Sequence, residues 1–157
     1  MFPDIGMHLD WDAFHRESWP IQLKSFKSSA ELRRSFTCFR LSCGRVDPHF
    51  LHWLFARNMP IYEVERRYAS LRDADRAKCD AFEQVFRERG YANFVIPAYE
   101  LGNGRVFVLD GNHRCVAASR SGVPFEITVY LVSGPLIASA CGDVLRCRDA
   151  LWAKRSE

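Results

Sequence analysis

Residues 105–118 read R-V-F-V-L-D-G-N-H-R-C-V-A-A, and the fold is decided by how this stretch is read. Val106, Phe107, Val108 and Leu109 form an apolar, β-rich run suited to a buried strand. The run stops at Asp110-Gly111. Asn112, His113 and Arg114 then lead into the helical pattern Cys115-Val116-Ala117-Ala118. A strand therefore ends, the chain turns tightly at a glycine, and a helix begins with Asn112 as its N-cap and His113 and Arg114 in its first turn. The first N–H groups of a helix lack intrahelical partners, and the dipole makes that end partly positive. Such an end attracts anions, phosphates above all. Gly111 lets backbone approach a ligand closely, and Arg114 can grip phosphate oxygens through two parallel hydrogen bonds. His113 is read as a second phosphate ligand, or as a hydrogen-bonded bridge between helix and sheet. Asp110 is read either as a carboxylate that holds Mg²⁺ or orients a nucleophile, or as a turn residue that caps nearby N–H groups.

Working outward from this turn, Leu101-Gly102-Asn103-Gly104 is a hairpin signal, preceded by a strand over 94–99. The spacing of Cys79, Phe82, Val85 and Phe86 predicts a helix over 73–89, ended by Gly90. The helix after the turn runs over 112–121, is ended by Gly122, and is followed by a strand over 125–132. Ile61-Tyr62-Glu63-Val64 reads as a strand by residue type, and Glu65-Arg66-Arg67-Tyr68 as a charged connection. Ser133 and Pro135 start an expected C-terminal helix, weakened by Gly142. Towards the N-terminus, Ser28 and Glu31 fit a capping box for a short helix to about residue 36. Phe39-Arg40-Leu41 reads as a short strand. Asp47-Pro48 opens an expected helix over 49–57 that is apolar on nearly all sides.

The chain has 157 residues, enough for one domain with a full core. Its division is read as an N-terminal extension (1–58) packed on a core (59–132), with a C-terminal helix (133–157). With 48% apolar and 26% charged residues, a disordered chain is excluded. A net charge of +3 permits an anionic ligand without demanding nucleic acid. No stretch approaches the length of a transmembrane helix, and residues 1–12 carry acids where a secretory signal has a basic region. The expected location is therefore cytoplasmic. The six cysteines show no C-x-x-C spacing, and reduced thiols are the expectation. His49 and His52 are read as packing or surface residues, and no protein metal site is expected. Trp11, Phe14, Trp19, Ile21, Leu23 and Phe26 are too apolar for a loose tail, so the N-terminal half is expected to pack on the domain or to form a homodimer contact.

The N-G hairpin, V-F-V-L-D-G-N-H-R, the A-A helix with its glycine end, and the strand F-E-I-T-V-Y-L-V together resemble the ParB/sulfiredoxin superfamily. The resemblance covers about residues 61–132. It implies an α+β fold, a small mixed sheet with helices, here carrying an added helical N-terminal segment. It also implies that Gly111, Asn112, His113 and Arg114 hold nucleotide phosphates. Sulfiredoxins place a reactive cysteine immediately before the His-Arg pair, where this chain has Asn112, which argues against that chemistry. Partition proteins carry a helical DNA-binding region after this domain, and only 25 residues follow Val132. The motif is closest to free-serine-kinase-like members. The resemblance thus implies a nucleotide-dependent phosphotransferase using ATP or ADP with Mg²⁺ and a small hydroxylated acceptor. Glu63 or Glu65 would be its general base, with Asp110 as a further catalytic carboxylate. The alternatives are a non-catalytic nucleotide- or DNA-associated binding module, with DNA the less favoured partner, or a nuclease, for which the clustered acids of a two-metal site are missing.

Overall fold

The computed structural model describes residues 9–42, 45–46 and 56–147. In chain order the elements are α1 (Trp11–Glu17), β1 (Ile21–Phe26), α2 (Ser29–Arg34), β2 (Phe36–Ser42), β3 (Arg45–Val46), β4 (Arg57–Pro60), α3 (Ile61–Arg66), α4 (Asp73–Arg89), β5 (Ala92–Gly102), β6 (Arg105–Val108), α5 (Asn112–Ser121) and β7 (Phe125–Val132). Short 3₁₀ turns occupy Tyr68–Ser70 and Val144–Arg146. No helix among the described residues is long and apolar enough to cross a membrane.

The strands make one mixed sheet in the order β1-β7-β5-β6-β2-β3, with β4 also paired to β2. The protein is thus an α+β fold. At its centre β5 lies parallel to β7, in register from Ala92 opposite Phe125 to Tyr99 opposite Val132. The hairpin to β6 turns at Asn103 and Gly104, whose φ angles of 53° and 69° are the two positive values a tight two-residue turn needs. β2 joins the other side of β6 in parallel, with Phe36 opposite Phe107.

The period of two along each strand divides the core into two layers. Phe94, Ile96 and Ala98 of β5, Val106 and Val108 of β6, and Ile127, Val129 and Leu131 of β7 face the helices α3, α4 and α5. Tyr99, Leu101, Phe107, Leu109 and Val132 face the other way. There they meet Leu9, Ala13 and Trp19 near the N-terminus, and Ala140, Cys141, Val144 and Cys147 after β7. Each fully buried side chain such as Ile96 or Leu131 contributes on the order of 1.5–3 kcal/mol. Burial on both faces therefore contributes to the stability of the sheet.

Three expectations are corrected. First, the segment before residue 59 is not simply a helical addition. It supplies β1, β2, β3 and the first half of β4 to the sheet, and β1 pairs antiparallel with β7 from Ile21–Val132 to Phe26–Ile127. Second, Ile61-Tyr62-Glu63-Val64 is helix, not strand. Pro60 ends β4, and Ile61 and Val64, three residues apart, point together into the helix-side core. The Ile61 N–H donates to Ser35 O at 3.0 Å, which fixes the start of α3 against the end of α2. Third, residues 133–143 are not helical. Gly134 packs so tightly beneath Trp19 and the Tyr99 hydroxyl that a Cβ there would collide with both. Tyr99 Oη also donates to Pro135 O at 2.9 Å, and Cys141 forms an isolated bridge with Leu9. Most of the helix expected over 49–57 lies outside the described residues, and its last residue, Arg57, opens β4 instead. His49, His52 and Cys43 likewise lie outside them.

Candidate functional site at the start of α5

β6 ends at Val108, and α5 begins four residues later. Between them Gly111 takes φ +82° and forms the N-cap. Asn112, expected as the cap, is instead the first helical residue. Its side chain is buried and ties three elements together: Oδ1 accepts from Cys38 N at 3.0 Å, and Nδ2 donates to Val108 O at 3.3 Å. Both polar atoms of the amide are thus engaged in holding α5 between β2 and β6. No side chain caps the start of α5, and no acidic residue lies in its first turn. The free N–H groups and positive dipole end therefore stay available to an anion.

The close fit at Gly111 is measured by what a Cβ there would meet. Ile96 Cγ2 would be 2.8 Å away and Arg114 Nη2 3.1 Å away. The Arg114 guanidinium is therefore folded back over the turn. It lies 5.4 Å over the Phe94 ring and 3.6 Å from Asp110 Oδ2. Asp110 is about half exposed, so this contact is weak and screened, and Arg114 can reorient to a ligand at little cost.

His113 points to the start of α4. Its Nε2 lies 2.9 Å from Oδ1 of Asp75. The other oxygen of Asp75 accepts from Arg72 Nε at 2.8 Å, and the carboxylate is buried. Burial pushes the Asp75 carboxyl up, but Arg72 and His113 outweigh it and hold it below the usual range. The edge of Phe39 meets the ring at 5.3 Å and 90°. The contact with Asp75 uses Nε2 and leaves Nδ1 as the second ring nitrogen, and a carboxylate bonded to one ring nitrogen orients an imidazole for proton transfer at the other. Asp75 escaped the sequence reading because it is one of several charges along α4. The usable signal was its place in the first helical turn of an amphipathic helix, on the buried face with Cys79 and Phe86.

The remaining expected residues lie in ion-pair networks of their own. Glu63 is buried and takes a two-pronged grip from Arg57, at 2.6 and 2.7 Å, with Arg67 Nε at 3.3 Å. Burial pushes its carboxyl up, yet the two arginines win and hold it below the usual range. Glu65 accepts from Arg33 at 2.9 Å and from the Ser119 hydroxyl. Ser119 is seven residues into α5, about 10 Å along its axis from the turn. The structure thus brings Asp110, Gly111, Asn112, His113 and Arg114 together. It sets Glu63 and Glu65 among arginines.

Among the described residues no group of three His, Cys, Asp or Glu is placed to hold a metal ion. Mg²⁺ needs few protein ligands when phosphates supply the rest, and Asp110 alone at the turn is of that kind. Burial pushes the thiols of Cys38, Cys79 and Cys115 up to about 12 and also raises that of Cys141, so none is a poised nucleophile. Comparison with protein-family models, with curated proteins and with solved structures finds no match to this chain.

Proposed function

We propose that the protein is a nucleotide-binding member of the ParB/sulfiredoxin-like fold that transfers a phosphoryl group from ATP or ADP to a small hydroxylated acceptor. The observation that carries this reading is the uncapped start of α5, flanked by Arg114 and His113 and free of acidic residues in its first turn. The backbone N–H groups of this turn bind the phosphates, and Arg114 swings from Asp110 to neutralise them. Asp110 would hold Mg²⁺, which when bound would offset the phosphate charge, and the nucleotide would supply the phosphoryl group and leave one phosphate shorter. His113, oriented by Asp75, takes the acceptor's proton through Nδ1. Glu63 stands second for that role, because the two arginines that hold its carboxyl low make it a weak base at neutral pH, and so does Glu65, whose carboxylate is engaged by Arg33 and Ser119. Positioning and charge neutralisation supply most of the rate.

The ion pairs of Glu63 and Glu65 favour a second reading, a module that binds nucleotide without transferring phosphate. A thermal-shift panel of nucleoside di- and triphosphates with Mg²⁺, followed by mass analysis of the nucleotide, separates the two. Stabilisation with turnover supports transfer, and stabilisation with intact nucleotide supports the binding module. No stabilisation by any nucleotide ends both.

A further inference from the structure

β1 is the last strand on its side of the sheet, paired antiparallel to β7 and to no other described strand. Its register runs without a shift from Ile21 opposite Val132 to Phe26 opposite Ile127. In an antiparallel strand the N–H and C=O of one residue point to the same side, and that side alternates along the chain. Pro20 O accepts from Ser133 N at 3.0 Å, so position 20 faces β7. Gln22, Lys24 and Phe26 then face β7 as well, while Ile21, Leu23 and Ser25 turn their N–H and C=O groups outward. Among the described residues these outward groups have no backbone partner. The usual guards of such an edge are weak here. A proline guards an edge by removing an outward donor, but position 20 faces inward. Lys24 is the one charge in the strand, and its side chain lies on the face opposite to Ile21 and Leu23. Those two apolar side chains are 52% and 67% exposed.

We propose that a second copy of this chain pairs with β1, antiparallel about a twofold axis at Leu23, and joins the two sheets into one. A twofold axis perpendicular to the sheet keeps every side chain on its own face, so it passes through a residue and not between two. With the axis at Leu23, Leu23 meets Leu23 of the second copy and Ile21 meets Ser25. The outward N–H groups of Ile21, Leu23 and Ser25 in both copies then all find carbonyl acceptors. With the axis at Gln22 or Lys24, one of the three in each copy is left without an acceptor within the strand. The Lys24 axis also sets two like charges directly opposite each other. At the Leu23 axis Lys24 faces the uncharged Gln22 instead. The strand is therefore complementary to itself in one register, which selects a second copy as its partner. An edge of 6 residues is small, so the dimer belongs to the weak class and forms at micromolar concentrations and above.

The test is sedimentation equilibrium of the full chain from about 1 to 500 µM, with amide hydrogen exchange followed by NMR at both ends of that range. The mass rises with concentration from 18.1 kDa towards twice that value. Exchange at Ile21, Leu23 and Ser25 slows by about tenfold or more as the dimer forms, while Gln22, Lys24 and Phe26 are protected throughout. Leu23→Lys and Leu23→Glu change an exposed side chain and stay folded, and each alone is monomeric because like charges face each other across the axis. Their equimolar mixture restores the dimer, which a structural role for Leu23 within one chain would not do. Should neither variant fold, the exchange pattern of the wild type decides alone. A monomer at every concentration, as for an edge left free or reserved for another protein's strand, overturns the proposal. So does a dimer in which the three outward amides exchange unchanged, one that persists in both Leu23 variants, or a mixture of the two that stays monomeric.

Discussion

The carboxylate of Asp75 and the ring of His113 meet where the first turns of α4 and α5 converge, with Oδ1 2.9 Å from Nε2. The contact joins positions 38 residues apart and couples the orientation of the site histidine to the packing of two helices. Asp75→Asn keeps the size of the side chain and removes its charge. The variant should lose about 1–3 kcal/mol at neutral pH, the cost of weakening a charge-assisted bond to a buried group. Chemical denaturation at pH 7 measures it.

The same residue sets a pH dependence. Asp75 is held below the ordinary aspartate value, so its contribution is fully present above about 3.9 and is lost as pH falls through its lower folded value. Glu63 acts in the same direction. Wild-type stability should therefore fall on acidification below about pH 4, and it should fall less steeply in Asp75→Asn and in Glu63→Gln. Denaturation midpoints between pH 3 and pH 7 give the three slopes. Equal slopes in variants and wild type would contradict the assignment.

Arg114→Ala should abolish nucleotide-dependent stabilisation while leaving the fold intact. Among the described residues its guanidinium makes a half-exposed contact with Asp110 and a stacking contact with Phe94. Loss of a phosphate-gripping arginine should weaken binding by tenfold or more. Calorimetry gives the affinity, and circular dichroism reports the fold.

Gly111→Ala should destabilise the protein by roughly 1–3 kcal/mol, since the backbone is left-handed there and the new methyl meets Ile96. Gly104→Ala is the informative control. Its φ is also positive, at +69°, but nothing lies within 4 Å of a Cβ there, so only the backbone cost remains. Thermal melts of the two variants separate strain from collision.

Asn112→Ala strips the acceptor from Cys38 N and the donor from Val108 O. A cost of about 1–3 kcal/mol follows from the unsatisfied buried groups. Asn112→Asp should be no milder than Asn112→Ala, because an ionised carboxylate cannot donate to Val108 O. Denaturant titration at neutral pH compares the two.

Much of the right-hand half of the sequence was legible because each signal was local. Gly90 and Gly122 end α4 and α5 as read, and the alternation in β7 matches its buried face. The strand-turn-helix at 105–118 is also present, apart from the shift of the cap from Asn112 to Gly111. Ile61–Val64 misled because its β-forming residues are held in a helix by tertiary contacts, among them the Ile61 N–H bond to Ser35 O and the burial of Ile61 and Val64 in the helix-side core. β1 carries no burial pattern to read, since five of its six residues are exposed. It becomes a strand through its partner. Asp75 was invisible for a related reason, since its meaning lies in His113 on another helix.

The pairing of β1 with β7 also constrains the order of folding. Ser25 donates to Glu126 across a separation of 101 residues. An emerging chain therefore holds Ile21 to Phe26 without a partner until nearly all of the sheet has been synthesised. Closing so long a loop is slow. In the interval Ile21 and Leu23 form an apolar edge open to other chains, the condition under which newly made protein is most prone to aggregate. Polar substitution at Leu23, which stays 67% exposed in the finished fold, would reduce that hazard at little cost to the native state.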